Sequence, residues 1–468
     1  MVLASPQLYI IALTKVYTMK NILNTAVAIA LLLLTSCQKD DGGSDSSNLD
    51  DNLTVAIESA AGGEGLAKFQ LPKSDEFDKI PQDPKNPLTN AKVALGKLLY
   101  HETALAVAPM QEIGRGRYSC ASCHFASAGF QAGRFQGISE GGVGFGINGE
   151  GRERNNLYTE ENLDVQAIKT PTILNGAYQK VMLWNGQFGA TGMNEGTESS
   201  WVYNTPIATN ELGYEGIETQ AIAGLKVHRM GIDMDVLTPL GYKEQFDAVF
   251  DDIPEEGRYN LETAGLAIAA YERTVLANRA PFQKWLGGDK AAMSAQEKRG
   301  ALVFFDKGNC ASCHGGPSLA NMEFHAIGLN DLFECPEEVF KTNPLNTEIK
   351  GRGGFTGNPA DDYKFKVPTI YNLADSPFYG HGSSFRSLKA VLEYKNAGLA
   401  QNDAVPGSQL AEEFKPLGLS SEEVSDLETF ISTSLRDDEL MRYQPTSVLS
   451  GNCIPVSDPL AAQELGCN

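Results

Sequence analysis

The chain has 468 residues, 42% of them apolar, and a formal charge of −21. That length allows two or three ordinary domains, and the apolar share excludes a disordered chain. The acidic balance excludes a nucleic-acid-binding role, because phosphates require a basic face.

The first element is a targeting segment. Met19-Lys20 opens a short basic region, and Ala26 to Leu34 is an apolar run too short to span a bilayer. Leu34-Thr35-Ser36-Cys37 resembles the cleavage box of bacterial lipoproteins, so residues 1–36 read as upstream residues and signal peptide, with a lipid anchor on Cys37. Gln38-Lys39-Asp40-Asp41 resembles the signal that carries some lipoproteins to the cell surface. The expected location is the outer membrane, facing the periplasm or the cell surface. Residues 37–86 begin with Gly, Ser, Asp and Asn, which cannot bury a core, and predict a flexible tether.

From Pro87 onward a pattern appears twice. Ala91 to Tyr100 reads as a helix ending before a cysteine-bearing segment. Ser294-Ala295-Gln296-Glu297 is a capping box that opens a second helix through Phe305, again just before a cysteine. Lys169-Thr170-Pro171-Thr172-Ile173-Leu174-Asn175 matches Lys366-Val367-Pro368-Thr369-Ile370-Tyr371-Asn372 at five of seven positions. Helix, cysteine motif and KxPTIxN in the same order predict an internal duplication, with domains at 87–285 and 286–445 and a C-terminal tail at 446–468. Glu262 to Leu276, Phe385 to Lys395 and Glu422 to Leu435 read as amphipathic helices, so the class is mainly α. Gly137 to Asn156 and Asp331 to Asp362 read as long loops, either functional or solvated insertions.

Cys120-Ala121-Ser122-Cys123-His124 and Cys310-Ala311-Ser312-Cys313-His314 are the chemically decisive segments. Thiols at i and i+3 reach the two vinyl groups of one haem, and the histidine at i+4 lies under its iron. A thioredoxin-like redox pair would need a βαβ context that is missing, and a shared zinc site would need the two motifs together. Two CxxCH motifs in an exported chain predict two covalently bound haem c groups, with His124 and His314 as iron ligands. Of the remaining cysteines, two among Cys335, Cys453 and Cys467 can form a disulfide, and the spacing does not choose between them.

These motifs resemble the bacterial di-haem cytochrome c peroxidases and their relative MauG over about Leu95 to Leu435. The likeness rests on Leu95-Gly96-Lys97-Leu98-Leu99-Tyr100, Pro171-Thr172-Ile173-Leu174-Asn175, Leu183-Trp184-Asn185-Gly186, Phe304-Phe305-Asp306-Lys307-Gly308 and Ser376-Pro377-Phe378-Tyr379-Gly380-His381. It implies two cytochrome c-like domains with haems facing a shared interface. The N-terminal haem takes peroxide and the C-terminal haem relays electrons from a small donor protein, a cytochrome or cupredoxin, in a homodimer. Phe125 to Phe145 contains neither His nor Met, so the removable histidine of activated relatives is missing and the first iron is expected to be open, as in MauG.

The same resemblance assigns individual roles. Trp184 stands where the family keeps a tryptophan between the haems, and His381 lies equally far beyond Pro368 as Trp184 lies beyond Pro171. Gln220 matches the family's distal glutamine. The glutamate expected about ten residues on is missing, which leaves His228 with Arg229, or Asp233 if the tract carries an insertion, to move the proton. Tyr394 is the first choice as the second haem's sixth ligand and Lys395 the next. His325 and His381 are expected beside the second haem, and His101 at the surface. A calcium ion between domains would lose its side-chain ligand to Lys169, with Asp375 as substitute. Peroxidase, MauG-like oxidase and simple electron carrier are the three functions that fit.

Overall fold

The computed structural model describes residues 42–467. The expected signal peptide and Cys37 lie outside them. Among the described residues no helix is long and apolar enough to cross a membrane.

Two sets of three helices carry the fold. Thr89 caps helix Asn90–His101 by accepting from the Lys92 N–H, and Leu95, Leu99 and Tyr100 form its buried face. It crosses Leu261–Arg273, opened by a capping box at Asn260, and Gly216–Val227 packs on the same helix. In the second set Ala295–Phe305, with the expected Ser294–Glu297 box, crosses Ser421–Thr429, and Leu388–Ala397 completes the group. Both crossings depend on glycine. A Cβ on Gly96 would stand 1.8 Å from the Ala267 carbonyl oxygen, and one on Gly300 would stand 2.0 Å from that of Asp426. Sheet is limited to two short ribbons, Gly142–Val143 with Glu153–Arg154 and Phe324–His325 with Phe365–Lys366.

The KxPTIxN segments share their backbone geometry as well as their residues. Asn175 and Asn372 both turn left-handed, with φ of 57° and 55°, and each starts a 3₁₀ turn. The Asn175 side chain accepts from the Ala277 N–H at 2.9 Å, and Asn372 accepts from that of Asp437 at 3.2 Å. The two segments then interlock. The Lys169 N–H donates to the His381 carbonyl and the Lys366 N–H to the Trp184 carbonyl, each at 2.8 Å.

Three expectations change here. The tether expected through residue 86 ends much earlier: helix Gly42–Ala60 runs through it, with Leu53 and Ile57, and then Ala61, fully buried. Leu53, Ile57 and Ala61 follow a four-residue apolar period, and Trp285 and Lys298 anchor the segment on Asp50 at 2.7 and 2.9 Å. The expected domain boundary is core as well: Phe282 and Trp285 are both fully buried. The tail is docked: Cys453 pairs with Cys467, and buried Asp458 accepts from Arg152 at 3.3 Å.

Candidate haem sites

Each cysteine motif folds into the same tight turn. Cys120–Ser122 and Cys310–Ser312 are 3₁₀ turns, and the His124 and His314 N–H groups close on the carbonyls of Cys120 and Cys310 at 3.2 and 2.8 Å. All four cysteines are outside disulfides. Burial pulls the pKa of both histidines down to about 4, so each imidazole is neutral and able to ligate a metal. His314 Nδ1 lies 3.0 Å from the Leu319 carbonyl; a carbonyl only accepts, so Nδ1 carries the proton and Nε2 keeps its lone pair. His124 Nδ1 is buried with no hydrogen-bond partner among the described residues. The residues that follow, Phe130 and Leu319, again share a left-handed turn, with φ of 57° and 50°.

A cavity of about 320 Å³ opens beside the second motif, lined by Cys310, Cys313, His314, Trp184, His381 and Lys395 among others. Its size, apolar walls and CxxCH edge fit a haem. His381 is fixed on two sides, stacked 3.6 Å over Phe365 and bonded through Nε2 to Asp331 at 3.0 Å. The Trp184 ring meets His381 edge-on at 6.3 Å and donates its N–H to the Lys169 carbonyl at 2.7 Å. His325 Nε2 lies 3.0 Å from Glu323 and 3.7 Å from Cys313 Sγ, at the attachment edge.

Tyr394 does not reach this cavity. Its hydroxyl donates to the Ile327 and Gly328 carbonyls, the latter at 3.0 Å, its ring packs on Phe385 and Phe414, and burial raises its pKa to about 12. The expectation of a tyrosine ligand is therefore corrected. Lys395, one residue on, lines the cavity, and its amine has no hydrogen bond or ion pair among the described residues. Burial lowers the pKa of that amine, which favours the neutral form that can coordinate a metal.

The first motif meets a different environment. A Cβ on Gly137 would lie 3.2 Å from Cys123 Sγ, so the Gly137-to-Asn156 loop runs directly over this cysteine. From that loop Glu140, fully buried in its side chain, receives Arg229 Nε and Nη2 at 3.0 and 2.7 Å. Asp164 accepts from His228 Nδ1 at 2.7 Å and lies 3.4 Å from Arg229. His228 ends helix Gly216–Val227, and Arg229 turns left-handed at φ 56°, a conformation costing about 1–2 kcal/mol outside glycine. Gln220, on the same helix, has a buried Oε1 with no partner among the described residues.

Three expected residues lie elsewhere. Asp233 is exposed and caps helix Met234–Leu240 by accepting from the Val236 N–H at 2.9 Å, so it is not the proton carrier. His101 is fully buried rather than at the surface, wedged against Tyr100 and Tyr271, with its pKa lowered by burial to about 4. Asp375 is committed to Arg436 at 2.6 Å and Asn372 at 2.7 Å, while the Lys169 ammonium bonds Gln131 at 2.6 Å. A carboxylate already paired with Arg436, and a lysine in place of an oxygen ligand, do not fit the expected calcium ion. Sequence reading missed Asp164 and Glu140, which lie 64 and 89 positions from the residues they hold, too far for any spacing rule.

Two cysteine turns, each closing on a half-buried histidine, are the two candidate haem sites. Residues 90–291 match the family model of the di-haem cytochrome c peroxidases. A cytochrome-c peroxidase IdrP1 of Denitromonas iodatirespirans is 29% identical over 84% of this chain and 94% of its own length. The methylamine utilization protein MauG of Methylophilus methylotrophus is 28% identical over 78% of this chain and 89% of its own. The crystal structure of a MauG-like protein associated with microbial copper homeostasis shares the fold, with a TM-score of 0.54 at 20% identity over 79% of this chain and 96% of that one. The chain is therefore similar to the di-haem cytochrome c peroxidases and MauG over most of its length.

Proposed function

We propose that this protein is an exported di-haem cytochrome c peroxidase, which reduces hydrogen peroxide to water with electrons from a small donor protein, a cytochrome or a cupredoxin. The carrying observation is the asymmetry between two otherwise equivalent motifs. The first faces His228–Asp164 and Arg229–Glu140, a proton-moving group beside a fixed cation. The second faces a cavity that receives one free amine, Lys395. One site is equipped for substrate and the other for a closed coordination shell.

Two haem c groups, when bound, supply the iron for peroxide and a store for electrons. Cys120 and Cys123 would hold the first and Cys310 and Cys313 the second, with His124 and His314 as the residues that would ligate the irons. Hydrogen peroxide takes up two electrons and two protons to give two waters. His228 moves a proton from one peroxide oxygen to the other, Arg229 stabilises the departing oxygen, and Gln220 orients the substrate from the same helix. Lys395 would hold the second iron through its amine, and Trp184, with His381 against it, lines the same cavity.

The recurring turns, crossing glycines and interlocked KxPTIxN segments support an internal duplication of a cytochrome c-like unit, with the haems facing the shared seam. The lipobox-like segment supports an anchor through Cys37 and, with it, a location in the outer membrane, facing the periplasm or the surface. Stopped-flow mixing of the oxidised, haem-loaded protein with peroxide tests the function. A reaction without prior reduction is expected, and an obligatory reductive activation would contradict the open first site.

A further inference from the structure

His228 is held by a partner that no motif announces. Asp164 is 7% exposed, and its carboxylate meets His228 Nδ1 at 2.7 Å. The backbone behind it is pinned: the Ser139 N–H donates to the Asp164 carbonyl at 2.9 Å, and the Asp164 N–H to that of Glu140 at 3.0 Å. These are the residues that follow Gly137 over Cys123. One short antiparallel bridge, Ile138 with Val165, therefore presents two carboxylates, Asp164 and Glu140, to the successive residues His228 and Arg229. The imidazole remains 34% exposed, and since its Nδ1 edge meets buried Asp164, the open edge is the one bearing Nε2. Nε2 has no partner among the described residues.

We propose that Asp164 is a positioning residue of the peroxide reaction: it fixes His228 with the Nδ1 proton on the carboxylate and the Nε2 lone pair turned to substrate, while Glu140 fixes Arg229 beside it. The inference rests on the reading of His228 as the proton shuttle. An ionised carboxylate only accepts, so the contact specifies one tautomer and one ring orientation. Without it the ring can turn or present Nδ1 instead, and the base is lost for part of the time.

The groups facing His228 set the sign of its pH behaviour. Burial lowers its pKa, Asp164 raises it by charge and hydrogen bond, and Arg229 lowers it, leaving a pKa above the ordinary value. Around this pair stand Glu140 on Arg229, Lys341 near Asp164, and His124 on the side of the first motif. His228 must be neutral to take a proton, so the peroxide reaction should fade as pH falls through its pKa. Asp164→Asn keeps the shape and removes the charge. The acidic limb of the rate profile should therefore move to lower pH, and its plateau should drop by about tenfold, a fraction of a full acid–base contribution.

The test uses the full haem-loaded chain, with bimolecular peroxide rates measured across pH for the parent, Asp164→Asn and His228→Ala. Deuterium exchange at the His228 C2 position, followed by mass spectrometry, reads the titration of that histidine without any turnover. The expected result is a lower His228 midpoint and a lower acidic limb in Asp164→Asn, with a loss of 10²- to 10⁴-fold and no such limb in His228→Ala. If His228→Ala slows the reaction but Asp164→Asn leaves midpoint and profile unchanged, the positioning role is wrong and the shuttle stands. If His228→Ala leaves the rate unchanged, both fall. Should Asp164→Asn fail to retain haem, Asp164→Glu takes its place; it should keep the raised midpoint, and a midpoint at the ordinary histidine value would overturn the proposal.

Discussion

Tyr394 and Lys395 are neighbours on one helix, and the roughly 100° between successive residues decides which of them meets the second site. The tyrosine is tied to two carbonyls, while the lysine enters the cavity with its amine unbonded. Sequence placed a ligand on this helix and ranked the more familiar oxygen donor first. Only the packing of Phe385 and Phe414 around the phenol reverses that order. Lys395→Ala should convert the second haem from low-spin to high-spin, read by electron paramagnetic resonance, while Tyr394→Phe should leave its spin state unchanged. Lys395→Met should keep it low-spin and raise its potential, as thioether ligation does. A low-spin second haem in Lys395→Ala would exclude the lysine.

At the level of elements, the helices were legible because their signals are local. The Ser294–Glu297 box and the amphipathic periods all fall where expected, with Ser421–Thr429 continuing into a single π turn through Ser434. Elements whose order comes from distant partners were not legible. Helix Gly42–Ala60 looked like a tether because Ser, Asp and Asn dominate its start, while Leu53 and Ile57 become buried only against the later fold. The Asp331-to-Asp362 loop is likewise no solvated insertion: Phe340 is buried and bonded to Gln136, and Arg352 donates to the Gly186 carbonyl. Two changes test this packing. Gly96→Val should destabilise the fold by several kcal/mol in thermal or denaturant unfolding, because a side chain there must displace backbone rather than a flexible neighbour. Asp458→Ala leaves buried Arg152 without its counter-charge and should cost about 3–5 kcal/mol. A loss below about 1 kcal/mol, the worth of an exposed pair, would show that the tail is not held by this bridge.

For the whole molecule, the two KxPTIxN segments recognised in the sequence grip each other's surroundings, Lys169 on the His381 carbonyl and Lys366 on that of Trp184. The two cysteine motifs carry the proposed haem count. Intact mass of the mature protein should show two haem additions, and Cys313→Ala should lose most of the second. Sequence already led to the expectation of a difference between the halves, an open first iron and a ligand from Tyr394 or Lys395 at the second, but it could not supply Asp164 and Glu140, which meet His228 and Arg229 only through folding. That difference is the central claim, and the spin states of the oxidised protein as isolated test it most directly. Electron paramagnetic resonance should show one high-spin and one low-spin ferric haem in equal amounts, with peroxide consuming the high-spin signal before any reductant is added. Two low-spin haems that ignore peroxide would contradict the account and leave an electron carrier.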